Sequence, residues 1–243
     1  MPGLKAALTP PEEPWGMTQV RLARLCVFIG LTAAAFASLC AWDATGLDRS
    51  MAQWFGGAHG FPLRDHWLLG GVMHEGARLL SWLLVFGLCL GVWWPIGPLT
   101  RLDFSRRLQL ACTPLAAALA VSLLKGMSTT SCPWDLADFG GVAHYVPHWR
   151  LLLRDGGPGR CFPAGHASSG FAFVGGFLVF LRVDRKIAWQ WLGGSLFAGL
   201  LLGFAQQIRG AHFMSLRLLT AWICWAVSLG VDAAWPHKLA EQP

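Results

Sequence analysis

Six apolar runs, each about as long as a bilayer is thick, leave this 243-residue chain few folds to choose from. A helix needs ~20 mostly apolar residues to cross the hydrocarbon core, and the runs fall at about 21–42, 76–96, 107–127, 163–182, 187–208 and 213–233. Backbone polar groups in lipid must find partners within the protein, which helices supply from their own segment. The expected fold class is therefore all-α: a polytopic membrane helix bundle of about six transmembrane helices. A single domain would span roughly 21–235, between a polar tail at 1–20 and a short tail at 236–243. Pro163 suits the first turn of the fourth helix, and the sixth carries one charge, Arg217.

Composition agrees with burial in lipid. Charged residues make up 13% of the chain, about half the ~25% of soluble domains. The 14 tryptophans suit an interfacial aromatic belt. The net charge of +6 is scattered between apolar spans rather than gathered in a patch, so nucleic acid is not an expected partner. A transporter or channel would need charges along a path through the membrane. Beyond Arg217 the spans hold few, and polar groups collect at one surface.

Basic residues orient the bundle. Lys5, Arg21 and Arg24 precede the first span. Arg101, Arg106 and Arg107 lie between the second and third, and Arg182, Arg185 and Lys186 crowd the link between the fourth and fifth. These brief basic segments belong in the cytoplasm with both termini. The longer connections, 43–75 and 128–162, then face outward, which in a bacterial inner membrane is the periplasm. The first span also resembles a signal peptide, with Ala35-Phe36-Ala37 as a small-residue cleavage site. The long preceding tail, with Glu12 and Glu13, favours an uncleaved anchor.

Histidines gather on the outward side: His59, His66, His74, His144, His148, His166 and His212. His144 and His148 have the spacing of a zinc helix, but Pro147 opposes a helix there and no Glu completes the pattern. No metal or other cofactor is expected. Cys26, Cys89, Cys112 and Cys224 fall inside spans, where buried thiols are ordinary packing. Cys132 and Cys161 share the outward loop, where an oxidising compartment permits a disulfide. Closing that loop would stabilise the fold by ~3 kcal/mol; the alternative is two unpaired thiols.

Three short segments at outward helix ends carry the candidate chemistry. In Pro163-Ala164-Gly165-His166, Gly165 lets an anion approach the backbone at a helix start, and His166 can protonate a leaving oxygen. In Arg209-Gly210-Ala211-His212, small residues leave room for the imidazole to approach phosphorus, and the planar fork of Arg209 suits phosphate oxygens. Lys125 is either a further phosphate contact or a lysine snorkelling to the interface.

These residues resemble the phosphatidic acid phosphatase type 2 superfamily, whose pattern is Lys-x6-Arg-Pro, then Pro-Ser-Gly-His, then Ser-Arg-x5-His-x3-Asp. Lys125-x6-Cys132-Pro133 keeps Lys and Pro with Cys for Arg, and Pro163-Ala164-Gly165-His166 has Ala for Ser. Gln206 stands where the family has Arg, and Leu216 where it has Asp. The resemblance covers about 76–230 in motif order and span order. It implies His212 as a nucleophile forming a phosphohistidine and His166 as the general acid. Lys125 and the Gly165 backbone would bind phosphate, without metal. Arg209 and Arg160 are candidates to replace the missing arginines, and Asp135 or Glu75 to orient a histidine, ordinary loop solvation being the alternative for each acid. The implied activity is hydrolysis of a membrane lipid phosphate or pyrophosphate at the outer face. Undecaprenyl pyrophosphate, phosphatidylglycerophosphate and lipid A phosphates are the implied substrate types. A lipid phosphotransferase using the same site and a catalytically inactive lipid-binding homologue are the alternatives.

Overall fold

A computed structural model describes residues 14–147, 150 and 153–236. The expected tail through residue 13 with Lys5, the end of the chain from 237 and His148 lie outside the described residues. Among the described residues, five helices are long and apolar enough to cross a membrane. They belong to α1 (Pro14–Ala44), the π-helical segment Leu68–Gly76 continuing into α3 (Ala77–Trp93), α4 (Phe104–Met127), α6 (Arg185–Ile208) and α7 (Met214–Ala234). A short α2 (Leu47–Ala52) follows α1. The protein is an all-α membrane helix bundle. Leu79, Leu80, Trp82, Leu83 and Phe86 on α3 and Phe197, Leu200 and Leu201 on α6 stand exposed on its flanks. An apolar face so continuous suits lipid and not water.

The fourth apolar run differs from expectation. Its helix, α5, covers only Ser168–Phe180, with a tighter turn at Ala172–Val174. Pro163 therefore lies before the helix rather than in its first turn. Ala164 donates its backbone N–H to Thr220 Oγ1 at 2.9 Å, and Ala167, Ser168 and Ser169 donate to the carbonyls three residues before them. The motif thus forms a turn stitched to α7, and regular helix starts beyond it. At 1.5 Å per residue this helix is ~20 Å long, too short to span alone. It is buried throughout Gly170–Phe180, as an all-apolar helix at the centre of a bundle should be.

Small residues admit α5 to that centre. A Cβ at Gly170 would collide with the backbone of Gly199 on α6, and Gly176 lies against Trp191, whose Nε1 donates to the Phe173 carbonyl at 2.5 Å. Close backbone approach through small residues is the usual basis of helix packing in lipid. α1 lies outermost and is held to α7 by indoles: Trp222 Nε1 donates to the Thr32 carbonyl at 2.9 Å and Trp225 Nε1 to Thr32 Oγ1 at 2.8 Å. Arg217, the charge inside the last span, is buried with its guanidinium 5.6 Å from the Phe204 ring. It points into protein rather than lipid, as an intramembrane charge must.

The two ends of the bundle are built differently. At one end Asp103 caps α4 by accepting from Arg106 N at 2.8 Å, and Asp184 caps α6 by accepting from Lys186 N and Ile187 N. Asp232 near the end of α7 accepts from both Arg182 terminal nitrogens, at 2.6 and 2.7 Å, and from Gln109 Nε2 at 2.9 Å. That network ties α4, the end of α5 and α7 together. At the other end α4, α6 and α1 finish, α5 and α7 begin, and the loop segments 128–147 and 153–161 fold over them. Asp48 on α2 accepts from both the N–H and hydroxyl of Ser215, satisfying a first-turn donor of α7 that its own N-cap, Phe213, leaves open.

Gly170→Leu should therefore force α5 away from α6. Overpacking of this kind costs about 1–3 kcal/mol, and a lowered thermal midpoint in detergent would show it. Gly194→Leu on α6, where an added Cβ meets open space, should leave the midpoint unchanged.

Candidate functional site

Lys125 closes α4, His166 precedes α5, and Arg209 and His212 join α6 to α7, so all four reach the same end of the bundle. There they line a cavity of about 360 Å³, together with His74, Glu75, Trp134 and Gln206. The His166 and His212 ring centroids are 6.0 Å apart. A Cβ on Gly165 would stand 3.4 Å from Lys125 Nζ, so the absence of a side chain there lets the ammonium sit beside His166. The Arg209 guanidinium is held by the Arg64 carbonyl (Nε to O 2.6 Å) and by Gln206 Oε1 (Nη1 to Oε1 3.2 Å). Arg209 and Gln206 thus meet one helical turn apart, the spacing that brings side chains together on a helix.

Cys132 and Cys161 form a disulfide with a Cα–Cα distance of 5.1 Å. The loop folds to present them. Asp155, buried, accepts from Ser131 N, from Ser131 Oγ at 2.8 Å and from Gly157 N at 3.0 Å. Arg160 N donates to the Ser128 carbonyl and Cys161 N to the Thr130 carbonyl, both at 2.9 Å. These bonds lay the two ends of the loop side by side. Gly210, with φ +76°, turns the chain so that its carbonyl accepts from Trp134 N at 3.0 Å. The loop after Cys132 is thereby pinned beside His212.

His212 is nearly fully buried. Leu216, where the sequence resemblance expects an aspartate, is packed in the core. Cys161 faces the His212 ring, with Sγ 3.4 Å from Nδ1 and its backbone carbonyl accepting a ring N–H. A proton held at one ring nitrogen leaves the other with its lone pair free. The sulfur atoms of Cys132 and Cys161 and a His212 nitrogen lie within 4.8 Å of one another. Cation binding needs thiolates, and the disulfide consumes both sulfurs.

Charge around the cavity is mostly positive: Lys125, Arg209 and Arg78 act on His166. Burial, then neighbouring His74 and those cations, pushes His166 down to about 3. Burial first, and then Lys125, holds His212 well below the ordinary imidazole value. Both rings are neutral at physiological pH. For His212 that is the nucleophilic form; His166 becomes an acid only beside an added negative charge. His166 Nδ1 and Gln206 Nε2 are buried without hydrogen-bond partners. An oxyanion in the cavity has the acceptors to satisfy the Gln206 donor.

The other candidates fall elsewhere. Arg160 is exposed and does not line the cavity. Asp135 accepts from Cys132 N at 3.3 Å and also lies off the cavity; burial raises its pKa. Glu75 lies in the site, but its partners are His74, at 2.8 Å, and Arg78, at 2.7 Å. His144 is exposed. His74 itself, 3.8 Å from His166 between ring centroids, stood out in the sequence only as one of several outward histidines. The run His74-Glu75-x-x-Arg78 beside a long apolar segment was its signal, because charged groups at membrane depth are seldom idle. No protein-family model, curated protein or solved structure matches the chain.

Two measurements follow from this geometry. Mass mapping of non-reduced protein should find Cys132 joined to Cys161. Reductant should lower the thermal midpoint of the wild type, by an amount equivalent to about 3 kcal/mol, but not that of Cys132→Ser/Cys161→Ser. The buried imidazoles also predict a pH dependence. Between pH 6.5 and about 3 the unfolded chain binds a proton that folded His166 does not, so stability falls as pH drops through that window. The thermal midpoint should fall by more than about 5 °C between pH 7 and 4.5, and less in His166→Gln/His212→Gln.

Proposed function

We propose that this protein is a membrane phosphatase of the phosphatidic acid phosphatase type 2 kind, acting on a lipid phosphate or pyrophosphate through a phosphohistidine at His212. The observation that carries the reading is the pair of imidazoles, their ring centroids 6.0 Å apart, in a cavity that also holds Lys125 and Arg209. A His212 nitrogen attacks phosphorus and the P–O bond to the lipid alcohol breaks. His166, protonated in the presence of the bound phosphate, gives its proton to the leaving oxygen. Water then attacks the phosphohistidine, returns a proton to His166 and releases phosphate. Lys125, Arg209 and Gln206 stabilise the equatorial oxygens throughout.

A lipid substrate is supported by a second cavity of about 280 Å³, which shares Lys125 and His166 with the first. It runs between α3, α4 and α5 past Trp82, Leu115 and Phe173, so a phosphate in the site can keep its chain among apolar side chains. The site faces the periplasm in this reading, with the termini in the cytoplasm of a bacterial inner membrane. Arg101, Arg106, Arg182, Arg185 and Lys186 support that orientation, because they cluster at the end opposite the cavity. Leu216 in place of the family's aspartate favours the rival reading, a lipid-binding homologue without activity.

Wild-type protein in detergent with EDTA should release inorganic phosphate from a lipid phosphate without an added acceptor. Transfer that requires an acceptor would instead identify a phosphotransferase. His212→Ala should lower release by at least about 10⁴-fold, and His166→Ala should accumulate an acid-labile phosphoenzyme. Turnover by His212→Ala near the wild-type rate would end the proposal.

A further inference from the structure

The family resemblance accounts for two histidines, yet the cavity holds a third. His74 lies on the π-helical segment Leu68–Gly76, a backbone form that recurs at functional sites. Its Nδ1 is 2.8 Å from Glu75 Oε1, and the other carboxylate oxygen of Glu75 is 2.7 Å from Arg78 Nη2. With Nδ1 engaged by the carboxylate, Nε2 is the nitrogen left for other partners. The His74 and His166 ring centroids are 3.8 Å apart, closer than His166 is to His212. Nδ1 of His166 is buried with no partner.

We propose that His74, held by Glu75, stores the proton that His166 delivers to the leaving oxygen. The proposal rests on the phosphatase reading above. The groups facing the pair explain the division. Lys125 from the end of α4, Arg209 from the end of α6 and Arg78 from α3 all oppose a charged imidazole at His166; Arg209 and Arg78 oppose one at His74 too, but there Glu75 outweighs them. Glu75 is the acid lining the cavity, and it contacts His74. A proton drawn in with the substrate's phosphate charge is therefore best held on His74, one ring away from its point of use. His74 acts through His166, so it is a positioning residue.

The step balances without any co-reactant beyond water. A His212 nitrogen bonds to phosphorus, the P–O bond breaks, and the leaving oxygen takes the His166 proton, which His74 replaces. When water attacks the phosphohistidine, the N–P bond breaks and inorganic phosphate leaves. The proton removed from water returns through His166 to His74.

Leaving-group chemistry separates this role from a structural one. A long-chain alkyl phosphate needs its departing alkoxide protonated, whereas p-nitrophenyl phosphate releases a stable anion. His74→Gln should lower kcat on the alkyl phosphate by about 10²-fold or more, with KM little changed, and lower kcat on the nitrophenyl ester by about tenfold or less. Glu75→Gln, which keeps the shape and removes the charge, should move the alkaline limb of the kcat profile to lower pH. Equal losses on both substrates in His74→Gln, or an unmoved limb in Glu75→Gln, would overturn the relay and leave the phosphatase reading standing. A wild-type protein inactive on both substrates would overturn that reading and the relay with it.

Discussion

Burial of the short helix α5 on all sides is the constraint from which the rest of the architecture follows. Thirteen residues cannot cross a bilayer alone, so the chain reaches the centre of the bundle only through the turn Pro163–Ala167 that precedes the helix. The turn needs partners, because unsatisfied backbone groups at this depth are costly. Thr220 on α7 and the turn's own carbonyls supply them. His166 thereby occupies a fixed turn at the surface of the core rather than a helix face turned to lipid. Gly170 and Gly199 are the close contact that makes this insertion possible.

Electrostatics then give the cavity its character. Lys125 and Arg209 are drawn toward the same space as two imidazoles that burial keeps neutral. The consequence is a pocket of positive charge with little to balance it except Glu75. Such a pocket suits an anion of high charge density. Bringing that anion in also changes the proton affinity of the rings beside it. In the proposed phosphatase, binding and acid–base readiness would be linked through that Coulomb interaction.

Positions where the sequence departs from the pattern it resembles have physical roles of their own in the fold. Cys132 is spent on a covalent tie to Cys161. That tie brings a backbone carbonyl and a sulfur to the His212 ring. Arg209 and Gln206 touch, so one guanidinium serves a position displaced by a helical turn.

The sequence by itself determined the helical class and the placing of the three motifs at one end, because both follow from local quantities: the length of apolar runs and the parity of crossings between them. It also marked Lys125, His166, Arg209 and His212, whose residue types and spacing are legible in one dimension. It did not reveal that the fourth run is a short buried helix, since an apolar segment reads the same whether lipid or protein surrounds it. Nor could it separate Arg160 from Arg209, or pair Glu75 with His74 rather than with a motif histidine. Those outcomes depend on which loop end lies beside which helix end. Only the tertiary structure decides that, through the packing of α5 between its neighbours and the hydrogen bonds that join residues 128–131 to 155–161 beside the site.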